Sequence, residues 1–569
     1  MVYDYANTKL HFQMVEKLKT GILLNNYLIP SWEYQILKDL HNSDFAKIVL
    51  LIRNESKYSL AGKKKRSLVH ILIKLLEKTD RVIFKRRLDY NLKKDVSDLF
   101  QDIPQLDMNS GNDSLSESFF KHTVNEIAKF NLDIIIKFGS HILNGDILKI
   151  AKYGVWANSI DNHKFINEIN SGFWEVVRNC PVTNSALVIL KEDAGEKEVI
   201  FNSWESTCPF SINVNRNNVY WRTSLFMPRI MNGLHKYGDN YLSTLKNKFK
   251  SVSINKDNLL QTPSFLTTAR NIFNYFAIAA KTIYKKLFYT DAFNWQLLFD
   301  IKNDNNCYST NFSSFKKLSS PKGFFWADPF VVAKNDNYYI FVEEFIYKTN
   351  KAHISVLKLD NNGNLLSSEK IIERPYHMSY PFIFRIDTTY YMIPETCKNK
   401  TIELYKCIDF PYKWEFDRNI MGNLSAVDTT LFYYNNKWWL FTSLDQTDNI
   451  SGCSTELFLF FTDDIFSDDW VSHPDNPIVS DVRTARPAGK LFIHEGKIYR
   501  PSQDCSGRYG KGFNLNHVTK LTETEYNETM LYEVEPVWDK KLKGTHTLNF
   551  DKDFTIIDVY SFRKRLKVK

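Results

Sequence analysis

The sequence predicts an α/β Rossmann-like domain followed by an all-β five-bladed propeller. Three observations carry this expectation. Continuous apolar runs alternate with helix-patterned segments over roughly the first 240 residues. Short aromatic strands separated by Asn, Asp, Gly and Lys turns fill the second half. Within that second half one pattern recurs five times. At 569 residues the chain is too long for a single core, and the expected division is 15–240 for the Rossmann-like domain, 241–293 for a helical connector and 294–569 for the propeller.

In the first region, residues 20–28 (TGILLNNYL), 46–52 (AKIVLLI) and 133–138 (DIIIKF) read as buried strands, being too uniformly apolar for a half-solvated sheet. Residues 31–42, 68–76 and 114–130 have helical spacing. The order β-α-β-α-β implies a parallel sheet covered on both faces. In the connector, residues 267–293 (TTARNIFNYFAIAAKTIYKKLFYTDAF) form an amphipathic helix carrying Arg270, Lys281, Lys285 and Lys286, suited either to packing between domains or to a membrane surface.

The repeated segments begin at Ala327, Ser379, Val427, Ala485 and Gly544, 48 to 59 residues apart. Each opens on small and polar residues, then runs through an apolar strand, a polar turn and a second strand. A period near 50 residues with about four strands per unit marks propeller blades. One blade cannot bury both faces of its sheet, so neighbours cover them and a closed ring leaves no bare end. Residues 295–299 (WQLLF) precede the first repeat and are placed to close the ring against the last blade.

The start of each inner strand lines a propeller's channel, so Asp328, Tyr380, Asp428, Arg486 and His546 are expected to converge on one axis. Buried charges need partners. Two readings stay open: a plug of salt bridges, or a ligand site. Glu343, Glu344, Glu395, Arg500, Asp504, Tyr376 and His377 add carboxylates, guanidinium, imidazole and rings, the mixture a sugar cleft requires, with Arg486 and Arg500 suited to a bidentate phosphate or carboxylate.

Composition narrows the partners. The net charge of +9 is a mild excess concentrated in Lys63–Lys64–Lys65–Arg66 and in the tail from Arg563 to Lys569. Such runs are either solvated patches or contacts for an anionic membrane or charged substrate. No nucleic-acid fold accompanies them. Seven scattered cysteines without a CxxC pair fit a reducing compartment. With no signal-peptide core and no apolar run of about 18 residues, the expectation is a cytoplasmic protein, with the basic runs offering contact at the inner face of a membrane. No metal site is predicted.

The motifs FWADPF, SYPFIF…YYMIPET, VDTTLF…WWLFTS, RPAGKLF…IYRPSQDCSGRYG and GTHTLNF resemble the N-terminal propeller domain of plant glucosamine inositolphosphorylceramide transferases and its bacterial relatives. That domain is in turn similar to five-bladed glycoside hydrolases of the arabinanase, xylosidase and fructosidase type. The resemblance implies that Asp328 matches the hydrolases' first Asp and Asp428 their second. Their Glu acid falls near Arg486, and an arginine cannot be a general acid, whereas glycoside cleavage normally needs a carboxyl pair with one member protonated. Asp328 with Asp428 is one candidate pair, and Glu395 is a candidate substitute for the missing acid.

Residues 133–176 (DIIIKFGSHILNGDILKIAKYGVWANSIDNHKFINEINSGFWEV), followed by PVTNSALVILKEDAGEKEVI, resemble formyltransferase catalytic domains. The resemblance implies an Asn and a His from an N-x-H segment and a later Asp that holds the His. The Asp is kept as Asp193. The N-x-H positions fall on Ala157–Asn158–Ser159, with Asp161 and His163 just downstream, so either formyl transfer from 10-formyltetrahydrofolate or a scaffold without that chemistry is implied.

Three functions follow from these readings. The first is a transferase of surface-polysaccharide or glycolipid assembly, acting on a carbohydrate or nucleotide-sugar substrate, with Asp193 in formyl transfer. The second is a glycosidase or transglycosidase using Asp328 and Asp428; in both readings the propeller handles the sugar, with Tyr380, His377, Glu395, Arg486, Arg500, Asp504 and His546 binding substrate. The third is a non-catalytic glycan-binding scaffold.

Overall fold

The computed structural model describes residues 16–53, 68–108, 122–139, 143, 145–160, 172–191, 197–250, 265–302, 308–447, 452 and 454–566. The chain divides into two compact units that meet between Ala279 and Ala280.

The first unit is built on a seven-stranded sheet in the order Gln105–Asp107, Ala46–Arg53, Leu18–Leu24, Ile134–Lys137, Val155–Ile160, Val182–Leu190, Lys197–Ser206. The first five strands are parallel and run 3-2-1-4-5 in chain order. The last two are antiparallel, so the sheet is mixed rather than wholly parallel as the apolar runs suggested. Alternation explains the double burial. Ile22, Leu24, Ile134, Ile136 and Trp156 pack with Ile36, Leu37 and Leu40 of the helix Ser31–His41, whereas Leu23, Leu50, Ile52, Ile135 and Val155 pack with Val124 and Ile127 on the opposite face. The strand expected over 20–28 ends at Leu24, and Leu28–Pro30 turns off to pair with Lys93–Asp95. The helix expected over 68–76 continues to Ile83. Of the helix expected over 114–130, residues 122–128 are helical and 114–121 lie outside the described residues.

The second unit is a ring of five antiparallel sheets. Blade one is Phe324–Lys334, Asn337–Ile346, Lys351–Leu359 and Leu365–Ile372; blade two is Ser379–Ile386, Thr389–Thr396, Thr401–Asp409 and Lys413–Gly422. Blade three is Ala426–Tyr434, Lys437–Leu444, Glu456–Thr462 and Val471–Ser472, with Val479–Ser480 also on the third strand. Blade four is Phe492–His494, Lys497–Asp504, Gly512–Leu521 and Tyr526–Val534. Blade five combines both ends of the unit: Gly544–Asp551 and Phe554–Leu566 from the end, then Tyr289–Ile301 and Lys316–Leu318 from the beginning. The closing strand expected around 295–299 is thus present, begins at Tyr289, ahead of residue 294, and pairs antiparallel from Ile301 against Phe554 to Tyr289 against Leu566.

Shared cores join every pair of neighbours. Blades one, two and three share Phe330, Phe341, Ile383, Met392, Leu431 and Leu440. Phe441, Leu459, Ile498 and Val518 join three to four; Phe513, Leu515, Leu548 and Val559 join four to five; Phe299, Phe554, Ile340 and Val342 join five to one. Two-residue hairpins at Asn335–Asp336 and Asn435–Asn436 have both residues at positive φ, the conformation whose twist matches the flanking strands.

Candidate functional site

The inner strands of blades one, two, three and five share a defect at one repeat position. Pairing with the second strand breaks between Ala327 and Phe330, between Ser379 and Phe382, between Val427 and Thr430, and between Thr545 and Leu548. Each break is a β-bulge, a device that bends a strand and re-aims a side chain. The bulges hold Asp328, Tyr380, Asp428 and His546. The first three have φ of 49, 44 and 53°, a left-handed backbone that non-glycine residues adopt only at a cost of about 1–3 kcal/mol each. Blade four reaches the same place differently. Its inner strand is broken after Arg486, with one bridge between Pro487 and Ser502. Gly489 lies so close to blade five that a Cβ would meet the Leu548 carbonyl oxygen at 2.1 Å.

The five predicted residues gather at the hub in two groups of contacts: Arg486 with Asp428, and both Tyr380 and His546 with Asp328. Arg486 Nε donates to Asp428 Oδ2 at 2.5 Å, and Gln503 Nε2 donates to the same oxygen at 2.7 Å. His546 Nε2 lies 3.3 Å from Asp328 Oδ1, and its Nδ1 lies 2.7 Å from Asp558 Oδ2. Tyr380 donates its backbone N–H to Asp328 Oδ2 at 3.2 Å, and its hydroxyl accepts from the Gly489 N–H at 2.8 Å. Asp558 also receives the backbone N–H groups of Asp328, His546 and Thr547, so one carboxylate fixes the bulges of blades five and one. Trp295 stacks on His546, centroids 4.0 Å apart and planes 17° off parallel.

Two glutamates flank these groups at equivalent positions of blades one and two: Glu343 pairs with Ala327, and Glu395 with Ser379. Glu395 Oε2 is 3.7 Å from Arg486 Nη2 and is buried without a hydrogen bond. Glu343 Oε1 is 3.4 Å from His377 Nε2. Tyr509, exposed, lies with its ring 5.0 Å from the Arg486 guanidinium carbon. Arg486, Glu395 and His377 keep partial solvent access, whereas Asp328, Asp428, Asp558, Tyr380 and His546 are buried.

Five carboxyl groups (Asp328, Glu343, Glu395, Asp428, Asp558) therefore face Arg486 and His546, an excess of acid in a poorly solvated place. Burial, reinforced by Asp328, holds the Glu343 carboxyl well above the usual carboxylate range. Burial, reinforced by Asp428 and opposed by Arg486, does the same to Glu395. Burial pushes Asp328 up to about 7 against the pull of His546. Burial opposes the charge on His546, but Asp558 and Asp328 outweigh it and raise its pKa. His377, desolvated and near Lys398, is lowered to about 4 and is neutral. At neutral pH the hub thus offers protonated glutamates and a guanidinium as donors beside carboxylate acceptors, the separation of roles from which acid–base sites are made. Asp328, His546 and Asp558 also present ligand atoms within 4.8 Å of one another, close enough to grip a cation.

Four predicted residues lie elsewhere. Arg500 is buried in a bidentate pair with Glu528, at 2.8 and 2.6 Å, and donates to the Thr484 carbonyl. Asp504 binds Lys511 at 2.7 Å and caps the Ser506 N–H. Both point to the opposite side of their strand from Gln503. Glu344 likewise faces away from the hub, accepting from Trp326 Nε1 and Ser355 and lying 3.0 Å from His353 Nε2, and Tyr376 donates to Glu403. Sequence reading missed Asp558, Gln503, Trp295 and Tyr509. Asp558 was findable, because it sits opposite the bulge in the fifth repeat (TIIDVY).

In the first unit Asp193, Asp161 and His163 lie outside the described residues. Ala157 and Ser159 are buried in the strand Val155–Ile160, and Ser159 accepts from Lys197 Nζ at 3.1 Å. The order 3-2-1-4-5 reverses direction between Leu18–Leu24 and Ile134–Lys137, and ligands of open α/β sheets bind beyond the strand ends at such a point. Here Lys137 Nζ donates to the Gly139 carbonyl at 2.7 Å, and a Cβ on Gly139 would meet Asn25 Nδ2 at 2.5 Å. Glu33 is buried, and burial raises it to about 7 against the pull of Lys93, the Gly139 N–H and Lys137. Burial lowers Lys137 to about 8. Asn25 Oδ1 and Asn158 Oδ1 are buried without partners.

The family model described as glucosamine inositolphosphorylceramide transferase 1, N-terminal, matches residues 308–563, a span holding every hub residue except Trp295. The propeller is similar to the N-terminal part of these transferases. The rice (Oryza sativa subsp. japonica) transferase is 35% identical over 207 residues, covering 36% of this chain and 27% of the relative. The Arabidopsis thaliana transferase is 29% identical over 240 residues, covering 42% and 30%. The chain thus spans less than a third of the length of the curated relatives it matches. Among solved structures, a family 117 glycoside hydrolase, Zg3597 of Zobellia galactanivorans, aligns over 47% of this chain and 90% of its own at 11% identity and a TM-score of 0.32. A Cellvibrio cellulosa α-L-arabinanase complexed with arabinohexaose aligns over 42% and 90% at 14% identity and a TM-score of 0.31.

Proposed function

We propose that this transferase-like propeller binds an amino sugar at its hub, as part of glycolipid or surface-glycan assembly. The carrying observation is the surplus of carboxyl groups around Arg486 and His546, two of them glutamates held protonated at the partly open side. A protonated glucosamine would bring the cation this arrangement lacks, its ammonium displacing the proton of Glu343 or Glu395 to solvent and pairing with the carboxylate left behind. The ring hydroxyls would meet Arg486 and His377, and Tyr509 offers a ring face to the apolar side of the sugar. The transferases similar to this propeller are named for glucosamine and inositolphosphorylceramide, which supports an amino sugar and an inositol-phosphate lipid as the substrate classes. Transfer by the relatives resides in proteins more than three times longer than the match, so the role we assign to the propeller is capture and orientation of the sugar.

Saturation-transfer NMR with glucosamine, N-acetylglucosamine and glucose tests this. We expect glucosamine to bind about tenfold or more tightly than glucose, the 1.4 kcal/mol of one added partly screened ion pair, and the preference to vanish in Glu343→Gln/Glu395→Gln. Equal binding of all three sugars would defeat the proposal.

A glycosidase or transglycosidase reading is favoured by one feature: Glu395, kept protonated beside Asp428, supplies the proton donor that Arg486 cannot. It predicts sugar release from aryl glycosides, lost in Glu395→Gln and Asp328→Ala. For the first unit we propose a formyltransferase-like role, with Asp193 holding the proton-transfer group, 10-formyltetrahydrofolate as donor and the switch-point crevice by Glu33 and Lys137 as the place of binding. Formyl consumption with a nucleotide-linked amino sugar, lost in Asp193→Ala, is the measurement. Sugar binding without turnover in either assay would leave a glycan-binding scaffold.

A further inference from the structure

No helix among the described residues is long and apolar enough to cross a membrane, yet the helix Leu68–Ile83 and the part of the helix Phe265–Phe288 that belongs to the first unit, up to Ala279, are apolar on two sides. In Leu68–Ile83, Ile73 and Leu76 face the core, and Asp80 is buried beside them. At 100° per residue these three fall on one side, and Ile71, Leu75 and Val82 fall diametrically opposite. Those outward residues are 52, 61 and 74% exposed, and Leu72 and Ile83 beside them are exposed too. In the helix starting at Phe265, Thr268, Tyr275 and Ala279 are buried, whereas Leu266 and Phe273, on the other side, are 79 and 73% exposed, with Phe276 also exposed.

The two helices share one core. Tyr275 and Ala279 share a core with Ile73, Leu76 and Ile212, and the Tyr275 hydroxyl donates to Asp80 Oδ1 at 2.6 Å. Asp80 also accepts from Ser211 and the Asn213 N–H, and Glu77 is bound to Arg216 at 2.7 Å. The acidic residues of the first helix are thereby spent inward. Outward, the charged residues that the two helices present beside the apolar ones are cations, Lys74, Lys78, Arg81 and Arg270, continued by exposed Lys85, Arg86 and Arg87 just past the first helix. A solvated helix has no reason to carry large apolar groups opposite its buried side. An apolar strip with a basic border is complementary to one partner, the interface of an anionic bilayer, into which such helices lie flat.

We infer that the helix Leu68–Ile83, together with residues 266–279 of the helix that follows, seats the first unit on an anionic membrane surface, with Leu75, Val82, Leu266 and Phe273 entering the acyl boundary and Lys74, Lys78, Arg81 and Arg270 meeting phosphate headgroups. The inference rests on the first unit alone and stands or falls independently of the sugar reading of the propeller.

The test is co-sedimentation of the full chain with vesicles of phosphatidylcholine alone and of phosphatidylcholine with phosphatidylglycerol. Binding is expected to the anionic vesicles and to weaken as salt is raised. Leu75→Ser/Val82→Ser/Phe273→Ser should reduce it by about tenfold or more, and Lys74→Glu/Lys78→Glu should abolish the preference for anionic lipid. All these positions are exposed, so the melting temperature should hold, and a variant that keeps it is properly folded. Absence of binding to anionic vesicles, or binding unchanged in the apolar triple variant, would overturn the inference. So would light scattering showing a dimer that the triple variant converts to monomer, since a second copy would then cover the face.

Discussion

Replacing Asp328 by Asn separates a hub built for a ligand from a hub built as a plug. Asn tolerates the left-handed backbone at this bulge as well as Asp does, so the φ of 49° adds no strain. Its carbonyl oxygen can keep the Tyr380 N–H, and its amide can donate to His546 Nε2 while Nδ1–H faces Asp558; only the charge is lost. The rise of Asp328 from 3.8 to about 7 corresponds to a ceiling of roughly 4 kcal/mol. Because the folded state holds this proton more tightly than the unfolded chain, wild-type stability is greatest below pH 3.8, falls between pH 3.8 and 7, and is flat above. His546, raised, adds stability below 6.5 that is likewise lost as pH climbs through its folded pKa. Asn forfeits part of that histidine term, which discounts the ceiling. A gain of about 1–2 kcal/mol at pH 8 is expected, or about 2–6 °C in melting temperature, shrinking to nothing by pH 4–5. Calorimetry of both proteins across that range measures it, and sugar binding should be lost in the same variant, the trade of function for stability that strained sites show. A variant less stable than wild type by about 2 kcal/mol at pH 8 would refute the reasoning and mark the Asp328–His546 pair as structural.

Arg486→Met should cost about 3 kcal/mol, because Asp428 is buried and loses the cation bound to it; adding Asp428→Asn should restore most of it in a double-mutant cycle followed by thermal melting. Glu395→Gln should leave the melting temperature within about 0.5 kcal/mol of wild type, since the carboxyl is already protonated, while removing sugar binding or turnover. In the first unit Glu33→Gln should stabilise progressively as pH rises from 4.5 to about 7, because a raised carboxyl loses stability over that window; a flat difference across pH would count against its burial. Trp295→Ala should cost about 3–5 kcal/mol, read by urea unfolding of the full chain.

The propeller was legible because each blade spells out its inner hairpin: a small-polar opening, an apolar strand, a polar turn and a second strand, usually aromatic-rich. The axial set was legible for the same reason, as position within a repeat fixes position in space. What failed was strand parity. Arg500 and Asp504 share one face and Gln503 takes the other, so the motif YRPSQD contributes to the hub its least chemically conspicuous member. Glu343 and Glu344 divide in the same way. The bulges could not be read at all, since nothing in ADPF, SYPF or VDTT announces a left-handed residue; only the pairing of Ala327 with Glu343 and then Phe330 with Phe341 reveals it. In the first unit the uniformly apolar strands were visible, but the antiparallel edge formed by Val182–Leu190 and Lys197–Ser206 was not, because its burial depends on neighbours distant in sequence.

Ring closure and hub chemistry turn out to be the same structural event. His546 is held between Trp295 from the first strand of the ring and Asp558 from the last, and those two strands are partners in blade five. Asp558 in turn fixes the Asp328 bulge through its backbone N–H. Slipping the closing strand by one residue would turn Trp295 to the other face of the sheet and unstack His546. The protonation of Asp328 depends on His546, and the accommodation of Glu343 depends on Asp328. The hub therefore depends on the strand Tyr289–Ile301 being in register, and a ring lacking that strand has the five predicted residues in sequence without the stack that holds His546.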